Sequence, residues 1–136
     1  MPDKTFKLEI VTPRRVVYNG PVVSFTAPGT VGSFQVLHNH APLLSSIGIG
    51  QIKIVDNRGQ DVRYATSGGF VEVRENHVVT IAETAERADE IDIGRARAAQ
   101  DRALKRLEEK GSDIDLVRAR AALRRAQNRL KIAGRG

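Results

Sequence analysis

The chain has 136 residues, a formal charge of +6 and no Cys, which excludes disulfides, thiolate metal sites, cysteine nucleophiles and iron–sulfur clusters. Apolar residues are 40% and charged residues 28%, a balance that suits a soluble chain with a real core. The longest apolar runs, such as Val16-Val17 and Leu43-Leu44, fall far short of the ~20 residues a membrane span needs. The start, MPDKTFKLEIV, lacks an apolar signal region, so a cytosolic protein is expected.

Up to about Glu83 the sequence alternates. Phe6, Leu8 and Ile10 alternate with Lys7 and Glu9; Val23, Phe25 and Ala27 repeat the pattern, as do Ile52 with Ile54, Val62 with Tyr64 and Val79 with Ile81. A period of two marks half-buried strands. Turn signals separate the runs at Asn19-Gly20, Pro28-Gly29, Asn57-Arg58-Gly59, Ser67-Gly68-Gly69 and Glu75-Asn76. Short strands punctuated this way predict an antiparallel β-sandwich or barrel over residues 1–85.

The remaining segment, 86–136, predicts two helices. From residue 84 onward there is no Pro, and Ala, Arg and Leu dominate. Ile93, Ala96, Gln100, Ala103 and Leu107 form one 3-4 seam. Leu116, Ala119, Leu123, Ala126, Leu130 and Ala133 form a second. The stretch 108–113 breaks them, with Gly111 suited to a C-terminal cap and Ser112 with Asp115 to a helix start. So short a break predicts an antiparallel hairpin. Its Ala-rich seam buries little area, so the hairpin needs the sandwich, a ligand or a partner to hold it.

Charge follows the same division. Residues 1–83 carry 8 Lys+Arg against 7 Asp+Glu, whereas residues 84–136 carry 14 against 9, and 11 of those 14 are Arg. At about 100° per residue, Arg118, Arg125 and Arg129 lie within roughly 40° of one another, to one side of their seam. Asp92, Arg95 and Arg102 are offset from the first seam with the same rotational sign, and Arg106 joins them. In an antiparallel pair, same-sign offsets project from one side. Arg forks gathered there suit phosphate oxygens, although helix flanks are commonly just solvated charge.

Other constellations are weaker. His38 and His40 on one strand face could form a metal pair, but no third ligand is near and only His77 remains elsewhere. No G-x-S-x-G elbow, GxxxxGK[ST] loop or GxGxxG fingerprint occurs. Aromatics are 4%, without interleaving among the basic residues, so stacking platforms for nucleic acid are missing. No metal site, catalytic residues or independent enzyme are expected. A basic nucleic-acid-binding hairpin is the alternative reading, and a small metalloenzyme using His38 and His40 a third.

The order of parts, with VTPRRVVYNGPV at 11–22, APGTVGSFQVLHNHAPLLSSIGIG at 27–50, SGGFVEV at 67–73, AERADEIDIGRARAA at 85–99 and ALRRAQNRL at 122–130, resembles the epsilon subunit of F-type ATP synthase. The resemblance implies a rotor subunit without catalysis of its own. The sandwich would bind the gamma subunit and sit on the c-ring, with His40, Ala41, Pro42 and Leu43 as ring contacts. The extended hairpin would meet acidic loops of the beta subunits and inhibit ATP hydrolysis. The folded hairpin would bind ATP, with or without Mg2+, as a regulator. Ile91-Asp92-Ile93-Gly94-Arg95-Ala96 matches the family's I/L-D-x-x-R-A motif, and Glu86, Arg102, Arg118, Arg125 and Arg129 match its other nucleotide positions. The implied location is the cytoplasmic face of the bacterial plasma membrane, as a peripheral part of the complex.

Overall fold

Among the described residues the alternating segments form nine strands: β1 (Phe6–Val11), β2 (Val16–Ala27), β3 (Phe34–Val36), β4 (Leu43–Ile47), β5 (Gly50–Asp56), β6 (Asp61–Thr66), β7 (Gly69–Arg74), β8 (His77–Ala82) and β9 (Ala85–Arg87). The computed structural model describes residues 4–109 and 111–135. The strands hydrogen-bond in the order β4-β7-β8-β1-β2-β5-β6-β9, with β3 on the far half of β2. β2 makes this two layers. Its first half pairs with β1, and after a register shift near Val22 its second half pairs with β5 and β3. One ladder departs from the antiparallel expectation: β1 and β8 run parallel.

The core lies between the layers. Phe6, Leu8, Ile10, Phe25, Ile52, Ile54, Val71, Val73 and Val78 are buried there, each on the inward beat of its strand. Burying a side chain of this kind contributes about 1.5–3 kcal/mol. Tyr18 packs against this cluster, and its hydroxyl donates to the Pro21 carbonyl at 3.2 Å. Burial, and secondarily the Asp56 charge, push its phenol above the ordinary tyrosine range. Gly69 joins β7 to the preceding turn at φ +147°, where a Cβ would overlap the Ile81 carbonyl oxygen. Only Gly fits there.

One core position breaks the apolar rule. Thr80 is fully buried opposite Val71 and Ile10, and its hydroxyl has no hydrogen-bond partner among the described residues. An unsatisfied buried hydroxyl costs about 1–3 kcal/mol. Thr80→Val keeps the shape and removes that penalty. It should raise the thermal midpoint by several degrees, ~4 °C or more for each kcal/mol in a unit of this size. A lower midpoint would show that the hydroxyl is satisfied.

A second compact unit begins at Ala88. A single 3-10 turn (Ala88–Glu90) leads to α1 (Ile93–Glu108) and α2 (Asp113–Arg135). The Asp92 carboxylate caps α1 by accepting from the Arg95 N–H at 3.0 Å. The Ser112 hydroxyl does the same for α2 through the Asp115 N–H at 3.3 Å, as its spacing predicts. α1 ends with Glu109 as its cap residue, its N–H shared between the Lys105 and Arg106 carbonyls. Lys110, in the predicted break, lies outside the described residues.

The seam follows the predicted spacing except at its first position. Ala96 and Ala103 of α1 and Ala119 and Ala126 of α2 are buried, with Leu107, Leu116, Leu123 and Leu130 half-buried around them. Ile93, in the first turn of α1, is 45% exposed and lies outside the seam. Ile132, outside the 3-4 spacing, is buried instead. The 3-10 turn packs against α2, giving that helix a second covered side, and Ala88 and Ile91 are buried in the same unit.

Candidate functional site

The two outer faces of the sandwich differ in kind. On the β5-β6 side the outward residues are mostly polar: Ser24, Thr26, Gln35, Lys53, Asp61 and Arg63, with the half-buried Val55 between Ser24 and Asp61. Gln35 donates to the Ser24 hydroxyl, and Asp61 lies 3.7 Å from Lys53 and 3.9 Å from Arg63. On the β4-β7-β8-β1 side the ladders align an apolar row. Phe70 pairs with Ile81, Ile81 with Val11 and Val11 with Val16. Phe70 is 56% exposed and Ile81 62%; one row over, Leu44 and Val79 stand on either side of the exposed Glu72, with Glu9 beyond Val79, so the uninterrupted apolar row is Phe70, Ile81, Val11 and Val16. Contiguous exposed apolar surface of this kind marks a docking face. The sequence reading did not single out Phe70 or Leu44. The available signal was Phe70 falling on the opposite beat from Val71 and Val73.

The sequence-derived contact residues sit at one end of that face. His38 and His40 lie in the turn between β3 and β4 rather than on a strand, which corrects the shared strand face expected for them. The His40 Nδ1 is 2.7 Å from the Ala41 carbonyl oxygen, and no group of three or more His, Asp or Glu among the described residues could hold a metal ion. Ala41 and Pro42 are exposed. Leu43 turns inward against the core, so the exposed apolar set here is Leu37, Ala41, Pro42 and Leu44. The neighbouring 28–33 loop is pinned by Thr30, whose N–H donates to the Ser46 carbonyl, and its tip exposes Val31 completely.

In the second unit, α1 and α2 pack along one another across a short connection, residues 109–112, and are therefore antiparallel. Each buried Ala of the seam follows an Arg: Arg95 before Ala96, Arg102 before Ala103, Arg118 before Ala119 and Arg125 before Ala126. Each Arg is thus offset by about 100° in the same sense, which puts all four on one side of the pair. Counted from the connection at about 1.5 Å per residue, Arg102 comes level with Arg118 and Arg95 with Arg125. Arg129 lies one turn further, level with Asp92. The four forks are exposed, while Arg129 is half-buried with Nε shielded from solvent. Such a line of cations can hold an extended anion.

The other sequence-derived residues play different parts. The Ile91 side chain is buried, and the Asp92 carboxylate is engaged by the helix it caps. Glu86 stands on β9 in the first unit, opposite Ala65. With Thr12, Arg14, Arg15 and Glu83 it lines a cleft of about 500 Å³.

Comparison with known proteins gives this architecture a family. The family described as ATP synthase, Delta/Epsilon chain, beta-sandwich domain matches residues 5–88, and its long alpha-helix domain matches residues 89–134. The chain belongs to the ATP synthase delta/epsilon family, as a non-catalytic subunit of that complex. It is 51% identical over 107 residues to the ATP synthase epsilon chain of Pelotomaculum thermopropionicum, covering 79% of each chain. It is 46% identical over 108 residues to the ATP synthase epsilon chain of Syntrophomonas wolfei, again over 79% of each. The fold is shared with a chain of the Euglena gracilis mitochondrial ATP synthase structure containing OSCP, F1 and the c-ring, at a TM-score of 0.82 and 20% identity, over 100% of this chain and 84% of that one. Among the described residues no helix is long and apolar enough to cross a membrane.

Proposed function

We propose that this epsilon-type chain is a central-stalk subunit of a proton-translocating F-type ATP synthase, located at the cytoplasmic face of the bacterial plasma membrane. Its sandwich joins the gamma subunit to the c-ring. The observation that carries this reading is the inequality of the two outer sheet faces. A sandwich turning in water would have two polar faces; this one keeps an apolar row on one. The row binds gamma, and the 31–44 segment at its end, with His40, Ala41 and Pro42, meets the polar loops of the ring. Full-length chain should co-purify with a gamma subunit. Failure to do so, or steeply salt-dependent binding to bulk nucleic acid instead, would count against the assignment.

The arginine line supports a regulatory role for the hairpin. Folded on itself, the hairpin gathers Arg95, Arg102, Arg118, Arg125 and Arg129 on one flank, where they bind ATP without hydrolysing it. Opened, it separates the two helices, and α2 reaches acidic loops of the beta subunits and brakes ATP hydrolysis. The seam of small Ala side chains makes the two states close in free energy. A ligand shifts such a balance only by its differential affinity, and ATP meets the complete arginine set only in the folded state. The test is an ATP titration of the isolated subunit, with and without Mg2+, followed by amide spectra. No saturable response up to millimolar ATP would remove the sensing role.

A further inference from the structure

The β7–β8 hairpin turns on Glu75 and Asn76, both left-handed at φ 51° and 61°. Two successive positive φ values define a type I′ turn, in which Gly is favoured at the second position. Side chains in this region are strained and persist where the surroundings over-determine them. Asn76 is so determined. Its Oδ1 accepts from the Asn39 N–H at 2.9 Å, and its Nδ2 donates to the Thr5 carbonyl at 2.9 Å. Its own carbonyl accepts from the Lys7 N–H at 3.2 Å. One residue therefore ties together the entry to β1, the β7–β8 turn and the turn at 37–40. In that last turn Asn39 is itself left-handed, and the His40 N–H returns to the Leu37 carbonyl.

We propose that Asn76 is a positioning residue for the 37–42 loop, fixing the exposed set Leu37, Ala41, Pro42 and Leu44 in the shape that docks on the rotor ring. This rests on the reading that the loop meets the c-ring. A loop ordered before docking loses less conformational freedom on binding. The clamp lies outside the strand ladders, so losing it loosens the loop and leaves the sheet registers intact.

The test uses the whole chain, alone and assembled in membrane vesicles. Asn76→Gly keeps the left-handed backbone and removes both side-chain bonds. Asn76→Asp keeps the acceptor for the Asn39 N–H and loses the donor to Thr5. In Asn76→Gly, hydrogen exchange at the Asn39 amide should accelerate about tenfold or more, with the thermal midpoint within a few degrees of the parent. Proton-driven ATP synthesis should fall severalfold. Asn76→Asp should stay near the parent in both readouts. An Asn39 amide that exchanges in Asn76→Gly as in the parent overturns the proposal, as does undiminished synthesis or an Asn76→Asp defect as deep as that of Asn76→Gly. A Pro42→Gly, Leu44→Ser double variant separates the two readings. If it leaves synthesis unchanged, the ring contact itself is wrong; if it lowers synthesis while Asn76→Gly does not, only the clamp is wrong.

Discussion

Replacing Phe70 with Glu and Ile81 with Lys should abolish capture of the gamma subunit while leaving the sandwich folded. The two residues are direct cross-strand partners, and opposite charges at such a pair support the sheet. Both side chains already face solvent, so the core does not change. A docking partner, however, would have to bury two charges where it had buried two apolar groups. Lost apolar burial alone is worth about 1.5–3 kcal/mol per fully buried side chain, and each 1.4 kcal/mol is tenfold in affinity. A weakening of at least about a hundredfold follows. Lys53→Ala with Arg63→Ala on the opposite face should change gamma binding by less than about twofold, since exposed ion pairs contribute little. Equal losses from the two double variants in a pull-down titration would show that the apolar row is not the interface.

Arg125→Ala and Arg129→Ala should each weaken ATP binding about ten- to a hundredfold, the equivalent of one charge-assisted contact of roughly 1.5–3 kcal/mol. Arg120→Ala should not. Arg120 follows the buried Ala119 instead of preceding it, so it projects from the other side of the hairpin. Asp92 divides the geometry further. Its carboxylate accepts from the Arg95 N–H, so Asp92→Ala removes a helix cap, an effect of about 1 kcal/mol or several-fold in affinity, and Asp92→Ser should largely restore binding. Calorimetric titration of the five variants decides the matter. If Arg120→Ala binds as poorly as Arg125→Ala, the anion responds to net charge and not to a built flank. If Asp92→Ser is as weak as Asp92→Ala, the carboxylate touches the ligand.

What could be read from the chain was local. Alternation at Phe6-Leu8-Ile10 or Ile52-Ile54 reports burial through the two-residue period of a strand, and both sets are inside. The arginine offset was legible because each Arg lies one residue from the Ala it flanks. The parallel pairing of β1 with β8 was not legible, because strand-partner choice depends on contacts some 70 residues apart. The outward row was hidden for another reason. Val79 and Ile81 alternate as cleanly as an inward set, and period alone does not say which face meets the core. Ile132 escaped because a 3-4 seam assumes one covered face, whereas a 3-10 turn covers a second. The Asn76 clamp joins residues 37 and 71 positions apart, beyond any window of pattern.

The long strand β2 belongs to both layers, pairing with β1 through Val22 and with β5 from Val22 onward. Two separate sheets held only by side-chain contact slide when sheared. Here a continuous covalent backbone crosses from one layer to the other, with hydrogen-bonded neighbours on each half. If the apolar face takes a twisting load, that strand is the covalent route by which the load reaches the opposite layer. Stiffness against torsion is the mechanical property required of a part that turns between two larger bodies.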